Sequence, residues 1–265
     1  MARPVALVTG ASAGIGRAFA VGLADRGYDL VVVARRADAL EALAAELASS
    51  GASTEVLAAD LTSEDGLAAV EQRLTDPQRP IDLLVNNAGY GTAGIFHTLP
   101  VADEVGMIDL NITALVRLTH AALGPMTARR SGGVINVSST ASYQPAPGNA
   151  TYSATKAFVS SFTQAIHEEV RGRGVKAIAV CPGFTHSEFQ ARAGMEAEDV
   201  PGFMWQEPED VVAAALKAYD RGRAVVITGI INQMTAAFET VSPGVVTRKI
   251  AGRVMAEAGK TRAKD

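Results

Sequence analysis

Tyr152 and Lys156 are the residue pair in this sequence whose types and spacing best suit proton transfer. They are four positions apart, and a helix places residues with that spacing on one face, one turn from each other. A free phenol has a pKa near ~10 and is a poor proton carrier at neutral pH. An ammonium group at about 4 Å contributes roughly 4 kcal/mol at an effective dielectric of about 20, equivalent to about two to three pKa units. We therefore expect Lys156 to lower the pKa of Tyr152 and make it an acid/base group, although a surface pair on a helix is the alternative.

Three glycines have the spacing of a phosphate-binding turn. Gly10, Gly14 and Gly16 follow the short apolar run 5–9 and precede a helical pattern. Glycines between a strand and a helix let backbone N–H groups approach a pyrophosphate at the helix N-terminus. The spacing G-x-x-x-G-x-G differs from the usual dinucleotide fingerprint G-x-G-x-x-G, and a purely structural turn is the alternative. In its strand-turn-helix context, the motif predicts nucleotide binding.

The residues after the second strand indicate which nucleotide binds. The continuous apolar run 29–34 is followed by Arg35 and Arg36, and the next carboxylate is Asp38. An acidic residue at this point accepts hydrogen bonds from a ribose 2′-hydroxyl, whereas arginine accommodates a 2′-phosphate. Two solvated arginines in a loop are the alternative. The sequence therefore predicts that NADP(H) is preferred over NAD(H).

Strands and helices alternate along the chain and must position these side chains. A glycine, proline or polar residue follows each of the first six strands, at Gly10, Arg35, Asp60, Asn86, Ser138 and Pro182. Strict alternation predicts an α/β fold with a parallel sheet and helices on both faces, whose ligands bind beyond the carboxyl ends of the strands. The predicted strands are residues 5–9, 29–34, 54–59, 81–85, 134–137, 175–180 and 224–228, and the two longest predicted helices are 101–130 and 151–172.

The composition is that of an ordinary globular protein. The 265 residues are 48% hydrophobic and 20% charged, and no linker or low-complexity run divides them, so we predict one domain over residues 1–265. The less regular segment 186–208 is predicted to be a substrate lid, and 231–260 a C-terminal helical extension. A net charge of -4 argues against a nucleic-acid partner. A single cysteine, Cys181, excludes disulfides within the chain and suits a reducing cytoplasm.

Membrane attachment is the less favoured alternative. The N-terminal residues contain no signal-peptide pattern, and no apolar run reaches membrane-spanning length. Val246, Ile250 and Val254 have helical spacing, with basic residues on other faces, which is typical of a basic amphipathic helix. Such a helix lies on a membrane surface or packs against its own domain or a second subunit, and we favour packing.

Several motifs occur together in a fixed order. They are Thr9-Gly10-x-x-x-Gly14-x-Gly16, Asn86-Asn87-Ala88-Gly89, Ser139 thirteen residues before Tyr152, Tyr152-x-x-x-Lys156 and Pro182-Gly183. With these motifs, the chain resembles the short-chain dehydrogenase/reductase family over about residues 4–230. The resemblance implies a Rossmann-type, doubly wound sheet of seven parallel strands in the order 3-2-1-4-5-6-7. It also implies a nicotinamide-dependent oxidoreductase acting on CH–OH or C=O groups.

The resemblance implies a role for each matching residue. Tyr152 is the expected acid/base, Lys156 lowers its pKa, Ser139 stabilises the substrate oxyanion, and Asn111 holds a water linked to Lys156. Homodimers or homotetramers that pair the two long helices are expected on the same ground. The expected cofactor-binding residues are Gly10, Ser12, Gly14, Ile15, Gly16, Arg35, Arg36, Asp60, Leu61, Asn87, Ala88, Gly89, Tyr152, Lys156, Pro182, Gly183 and Thr185. The histidines show no ligand spacing, so no metal site is expected.

The substrate is the least determined part of this interpretation. Aromatic residues and methionines are frequent after the fourth strand and in the segment 184–205, where the family places its substrate wall. These residues indicate an apolar carbonyl substrate, with a local core as the alternative. They are Phe96, Phe184, Phe189, Met195, Phe203, Met204 and Trp205. A 3-oxoacyl thioester, with Arg192 near the pocket mouth, is a second substrate class, and an NADP(H)-binding regulatory protein without turnover is a rival function.

Overall fold

Seven short apolar runs form the strands of one parallel sheet. The computed structural model describes residues 3–189 and 201–241. Within them, the strands pair in the order β3-β2-β1-β4-β5-β6-β7, and every pair is parallel. The predicted fold class and strand order are therefore confirmed. The strands are β1 Val5–Thr9, β2 Asp29–Ala34, β3 Thr54–Ala58, β4 Leu83–Asn86, β5 Gly132–Val137, β6 Val175–Cys181 and β7 Val225–Ile227.

Helices connect the strands and cover both faces of the sheet. Short 3₁₀ turns lie at Phe96–Thr98, Thr140–Tyr143 and Gly202–Met204. The side chain of Ser63 accepts a hydrogen bond from the Gly66 N–H and caps the third helix. In the described residues, the helices are α1 Gly14–Asp25, α2 Ala37–Leu47, α3 Glu64–Thr75, α4 Val101–Ile108, α5 Leu115–Ala128, α6 Ala150–Arg171, α7 Pro208–Asp220 and α8 Ile230–Val241.

The core consists of two apolar layers, one on each face of the sheet. In β1, Ala6 and Val8 belong to one layer, which includes Phe19 of α1, whereas Leu7 belongs to the other, which includes Leu118 of α5. This alternation follows from the two-residue period of a strand. Because both faces are covered, the strands are continuous apolar runs, and polar side chains at their carboxyl ends are left to form a site.

The prediction of one long helix over 101–130 is wrong in one respect, because the helix is not regular throughout. The structure contains two helices, α4 and α5, joined by a π-helical turn at Asp109–Ala114. Asn111 lies in this turn and is 1% exposed. Single π-helical turns inside helices are frequent at functional sites because they redirect a side chain that a regular helix would place elsewhere.

Two predicted segments lie partly outside the described residues. Of the lid predicted over 186–208, residues 190–200 are not described, and α7 begins at Pro208. Of the extension predicted over 231–260, α8 covers residues up to Val241, so the amphipathic pattern at 246–254 falls beyond the described part. No helix of the described segments has the length and apolar character needed to cross a membrane. Nor do residues 3–189 and 201–241 contain a cluster of side chains suited to a metal ion.

Candidate active site

A cavity of about 770 Å³ lies at the carboxyl edge of the sheet, between the strand ends and the N-termini of α1 and α6. It brings together almost all the residues that the sequence suggested. Gly16 and Asn111 do not line the cavity; each contacts residues that do. The predicted residues that line it are Gly10, Ser12, Gly14, Ile15, Arg35, Arg36, Asp60, Leu61, Asn87, Ala88, Gly89, Ser139, Tyr152, Lys156, Pro182, Gly183 and Thr185.

The turn between β1 and α1 has no room for side chains. Gly10 has φ +67°, a conformation that favours glycine. A Cβ at Gly16 would lie 2.2 Å from the Gly10 carbonyl oxygen and 2.4 Å from Asn87 Nδ2. Asn87 Nδ2 donates to the carbonyl oxygen of Thr9 at 3.0 Å, and Thr9 Oγ1 accepts from the N–H of Asn87 at 3.0 Å. The end of β4 therefore holds this turn in place.

The N-terminus of α1 offers unpaired donors to a ligand in the cavity. Among the described residues, no side chain caps this helix at Ala13, and its first turn contains no acidic residue. The first N–H groups of a helix have no partner within it and carry partial positive charge. With the glycine turn beside it, this end fits the pyrophosphate of a dinucleotide.

The two arginines after β2 face different neighbours. Arg36 Nη2 lies 3.5 Å from Ser12 Oγ and 3.4 Å from Glu188 Oε2. The Arg35 guanidinium is close enough to Asp60 to favour its ionised form. Both arginines are exposed at the cavity rim, and guanidinium donors suit a phosphate oxygen. This donor set fits a 2′-phosphate.

Asp60 is a fixed carboxylate at the end of β3. The hydroxyl of Thr62 donates to its Oδ1 at 2.7 Å and the N–H of Thr62 at 2.9 Å. These hydrogen bonds, with a smaller contribution from Arg35, lower the pKa of Asp60 below its usual value. The neighbouring Leu61 is buried and lines the cavity, which gives this corner an apolar surface for a ring.

Ser139, Tyr152 and Lys156 meet on the opposite wall of the cavity. Ser139 lies two residues after the end of β5, and its hydroxyl is near enough to the Tyr152 phenol to favour the ionised phenolate. Its Oγ accepts a hydrogen bond from the N–H of Ala141 at 3.1 Å. Tyr152 and Lys156 occupy the first two turns of α6, where the expected one-turn spacing brings Lys156 Nζ to 5.7 Å from the Tyr152 ring centroid. Lys156 is 5% exposed, and its Nζ donates to the carbonyl oxygen of Val137 at 3.0 Å.

The expectation that Lys156 lowers the pKa of Tyr152 is wrong for the geometry described. Burial raises the pKa of Tyr152 to about 12, and the nearby Ser139 hydroxyl only partly opposes this effect. Burial also lowers the pKa of Lys156 to about 8. Desolvation by burial is the largest influence on the pKa of both groups.

Asn111 connects the π-helical turn to α6 and to the loop after β4. Its Oδ1 accepts from the N–H of Tyr90 at 3.1 Å, and its Nδ2 donates to the Tyr90 carbonyl at 3.0 Å. Nδ2 also donates to Thr155 Oγ1 at 3.1 Å. A Cβ at Gly89 would lie 2.8 Å from Asn111 Oδ1 and 3.5 Å from Lys156 Nζ, so Asn111 lies directly behind the cavity wall.

Ser138 differs from its neighbour Ser139. Its hydroxyl donates to the carbonyl oxygen of Lys156 at 2.7 Å and lies 2.8 Å from Ser160 Oγ. Ser160 in turn is 3.6 Å from the sulfur of buried Cys181. Ser138 therefore holds α6 against β5, whereas Ser139 lines the cavity together with Tyr152. Burial raises the pKa of the Cys181 thiol.

Two of the predicted apolar wall residues border the cavity next to Tyr152. Phe189 packs against the Tyr152 ring with centroids 5.4 Å apart, and Phe184 lies nearby on the same segment. The other described members do not line the cavity, and Met195 lies outside the described residues. Phe96 and Phe203 are 59% and 71% exposed. The wall is thus smaller than predicted, because aromatic content in a loop does not reveal which way its rings point.

Some cavity residues were not identified from the sequence. Tyr90 and Asn149 line the cavity from loops whose path no local pattern specifies. Glu188 lines it from the segment after β6, and it reaches Arg36 although 152 positions separate the two. A glutamate in an irregular segment is expected to be exposed to solvent. The sequence therefore contains no signal that predicts this contact.

Comparison with known proteins identifies the family of this chain. Residues 4–198 match the family model described as short chain dehydrogenase. The chain is 35% identical over 228 residues to a 3-oxoacyl-[acyl-carrier-protein] reductase of Synechocystis sp., covering 85% of this chain and 92% of the relative.

Solved structures of related proteins have the same architecture. A short-chain dehydrogenase from Sphingobium yanoikuyae in complex with NADPH is 39% identical, with a TM-score of 0.82 over 88% of this chain and 92% of that one. A bulky-bulky ketone specific alcohol dehydrogenase from Comamonas testosteroni is 31% identical, with a TM-score of 0.78 over 92% and 96% of the two chains. The chain therefore belongs to the short-chain dehydrogenase/reductase family and is an NAD(P)-dependent oxidoreductase acting on CH–OH or C=O groups.

Proposed function

We propose that this enzyme is an NADP(H)-dependent reductase of apolar ketones, or a dehydrogenase of the corresponding secondary alcohols. The observation that carries the proposal is that Ser139, Tyr152 and Lys156 line one cavity together with the glycine turn, with Lys156 Nζ 5.7 Å from the Tyr152 ring centroid. A bound nicotinamide would supply or accept the hydride. The side chains of the cavity would position the substrate and supply the proton.

Tyr152 is the proposed acid/base group. Burial raises its pKa to about 12, so the phenol keeps its proton at neutral pH. A carbonyl oxygen that becomes an alkoxide during hydride transfer is basic enough to take that proton. Ser139 is proposed to donate a hydrogen bond to the same oxygen as negative charge develops there. Lys156 and Asn111 are proposed to hold Tyr152 and the loop after β4 in position, Lys156 through Val137 and Asn111 through Tyr90 and Thr155.

The preference for NADP(H) rests on the cavity rim after β2. Arg36 and Ser12 present donors there, and Arg35 adds a second positive charge. Where a 2′-hydroxyl is bound, a carboxylate is the expected partner at this position, and Arg35 and Arg36 occupy it here. The relative from Sphingobium yanoikuyae binds NADPH, which supports the same assignment.

An apolar ketone is the proposed substrate class. Phe189 packs against the Tyr152 ring, and Gly91 lies beside both rings, since a Cβ there would lie 3.1 Å from Tyr152 and 3.2 Å from Phe189. Ala141, Ala146 and Phe184 continue an apolar lining. The ketone specificity of the Comamonas testosteroni relative agrees with this lining.

A 3-oxoacyl thioester is the second candidate. It is supported by the relative from Synechocystis sp., which reduces 3-oxoacyl groups on an acyl carrier protein. Arg192, the residue suggested to meet a carrier, lies outside the described residues. A regulatory protein without turnover is not carried forward, because the family consists of oxidoreductases and Ser139, Tyr152 and Lys156 lie together in this chain.

The test is a substrate panel with both reduced cofactors. Bulky apolar ketones and 3-oxoacyl thioesters are offered with NADPH or NADH, and kcat/KM is followed by absorbance. We expect the highest value with NADPH and an apolar ketone. A higher value with NADH would contradict the cofactor assignment, and a higher value with a thioester would replace the substrate class.

The catalytic assignment is tested by removing one oxygen. Tyr152→Phe is expected to lower kcat by at least ~10²-fold, since it deletes the proton donor, while NADPH affinity changes little. Tyr143→Phe is a matched control, because Tyr143 is only four residues after Ser139 and does not line the cavity. Near-normal turnover in Tyr152→Phe would exclude Tyr152 as the acid/base group.

We also propose a cytoplasmic location and a homo-oligomeric state. The location is supported by the buried, unpaired thiol of Cys181, which suits a reducing compartment. Fractionation of cells that express the chain tests it, and recovery with membranes or outside the cell would contradict it. The oligomeric state is supported by exposed apolar side chains on α4 and α6, among them Val105 and Phe158.

A further inference from the structure

Glu188 lies beside the residues proposed to hold the 2′-phosphate. Its Oε2 is 3.4 Å from Arg36 Nη2, and that same nitrogen is 3.5 Å from Ser12 Oγ. The Arg36 and Glu188 side chains are 45% and 52% exposed, and both border the cavity. A carboxylate therefore occupies one side of the guanidinium at which a phosphate would bind.

The segment that carries Glu188 is fixed across the cavity mouth. A Cβ at Gly14 would lie 2.8 Å from the Cβ of Ser187, so this segment passes directly over the glycine turn. Ser187 Oγ donates to the Thr185 carbonyl at 3.3 Å and accepts from the N–H of Phe189 at 3.3 Å. Phe189 rests on the Tyr152 ring. Contacts on both sides of Glu188 thus hold its carboxylate near Arg36.

We propose that Glu188 is a specificity-determining residue that competes with the 2′-phosphate of NADP(H) for Arg36. This inference rests on the proposed function, because it concerns the cofactor rim of the same site. A 2′-phosphate carries nearly two negative charges and is repelled by a carboxylate that shares its guanidinium. The uncharged 2′-hydroxyl of NAD(H) meets no such repulsion and can donate to Glu188. Glu188 thereby narrows the gap in affinity between NADP(H) and NAD(H) that the arginines create.

The expected effect is modest because the groups are exposed. Interactions between exposed charges correspond to about a 2- to 5-fold change in a dissociation constant. Salt screens them within about 10 Å at 0.1 M and within about 3 Å at 1 M. The effect of Glu188 should therefore be clear at low ionic strength and small at high ionic strength.

The experiment measures binding to Glu188→Gln, which removes the charge and keeps the shape. Dissociation constants are determined by calorimetry for NADPH, NADH, adenosine 2′-monophosphate and adenosine. At low salt we expect the constants for NADPH and adenosine 2′-monophosphate to fall by about 2- to 5-fold, with those for NADH and adenosine unchanged or higher. At 1 M salt the gain should vanish.

Glu207→Gln is the matched control. Glu207 lies in the same connection between β6 and α7, is 63% exposed and does not line the cavity. It gives the same change in net charge and should leave all four constants unchanged. An equal gain in Glu207→Gln, or an equal gain for NADH and NADPH in Glu188→Gln, would overturn the proposal. So would an NADPH-to-NADH ratio that is unaltered in Glu188→Gln.

A double variant tests whether Glu188 acts through Arg36. In Arg36→Gln, the further change Glu188→Gln should no longer favour NADPH, because the shared guanidinium is gone. An undiminished effect in this background would overturn the role of Arg36. If Glu188→Gln does not fold, Glu188→Ser provides the same comparison. Wild-type protein that binds neither NADPH nor NADH would overturn the proposed function as well, whereas tight NADPH binding with no effect of Glu188 overturns this inference alone.

Discussion

At the scale of single residues, Lys156 combines a charge with almost complete burial. Its side chain is 5% exposed, and burial lowers its pKa from 10.5 to about 8. The unfolded chain therefore binds more protons than the folded chain between about pH 8 and pH 10.5. Stability linked to Lys156 rises with pH across this window and is lost as pH falls through the folded pKa.

The prediction concerns Lys156→Met, which has no charge to titrate. Relative to this variant, the wild type should gain about 2 kcal/mol in free energy of unfolding between pH 7.5 and pH 9.5. Urea unfolding at the two pH values measures the difference. Lys217→Met, which removes an exposed lysine on α7, is the control. If the wild type gains the same stability relative to Lys217→Met, the effect comes from net charge and not from the burial of Lys156. If the wild type gains no stability relative to Lys156→Met, the lowered pKa of Lys156 is contradicted.

The pairing of Tyr152 and Lys156 shows what residue spacing can and cannot predict. The four-residue spacing correctly predicted that the two side chains share one face of a helix. It did not predict that burial would raise the pKa of Tyr152, because the cost of desolvation depends on segments distant in sequence. For the same reason the contact between Arg36 and Glu188 was not foreseen, since two loops bring these side chains together.

At the scale of elements, the glycine turn between β1 and α1 is limited by contact with backbone. Gly16→Ala would place a Cβ 2.2 Å from the Gly10 carbonyl oxygen, and neither backbone atom can move without displacing β1 or α1. We expect a loss of about 1–3 kcal/mol in stability and weaker binding of NADPH. Thermal unfolding and a binding titration measure the two effects.

Gly124→Ala is the control for that prediction. Gly124 lies inside α5, and a Cβ there would meet nothing within 4 Å. Alanine is the better helix former by about 0.5–1 kcal/mol, so this variant should be as stable as the wild type or more so. If Gly16→Ala binds NADPH as tightly as Gly124→Ala does, the glycine turn is not part of the nucleotide-binding site.

The π-helical turn between α4 and α5 gives a second prediction at this scale. Asn111→Ala would leave the backbone of Tyr90 and the hydroxyl of Thr155 without their present partner. Unpaired buried polar groups cost about 1–3 kcal/mol each, so we expect a lower melting temperature together with reduced turnover. Thr113→Ala is the control, because Thr113 is exposed in the same turn. Equal losses in the two variants would mean that the turn, and not the Asn111 amide, is what matters.

The elements show how far the sequence determined the fold. All seven strands begin and end within two residues of their predicted positions. They were predictable because strands covered on both faces need continuous apolar runs, and glycine, proline or polar residues end those runs. The turn at Asp109–Ala114 was not predictable, because the helical pattern of 101–130 is unbroken. Its position depends on tertiary partners of Asn111, one of which is on α6.

At the scale of the whole molecule, α4 and α6 present apolar side chains to solvent. Val101, Val105 and Ile108 form one stripe along α4 and are 73%, 51% and 40% exposed. On α6, which packs against α4, Phe158 is 39% exposed and stacks on Phe162 with ring centroids 5.7 Å apart. An apolar surface of this kind is typical of a protein interface. We therefore propose that two copies of the chain associate through α4 and α6, as expected from the family resemblance.

Placing charge in this surface should separate the subunits. In Val105→Asp, a carboxylate on α4 would have to be buried without a partner in the interface, which is strongly unfavourable. Light scattering coupled to size exclusion should then show monomers, where the wild type is a dimer or a tetramer. Phe203→Asp is the matched control, because Phe203 is 71% exposed and belongs to a different element, the turn Gly202–Met204. A wild-type protein that is monomeric, or dissociation by Phe203→Asp and not by Val105→Asp, would contradict this interface. Because Val105 does not line the cavity, a Val105→Asp monomer that retains NADPH binding would further show that each subunit carries a complete cofactor site.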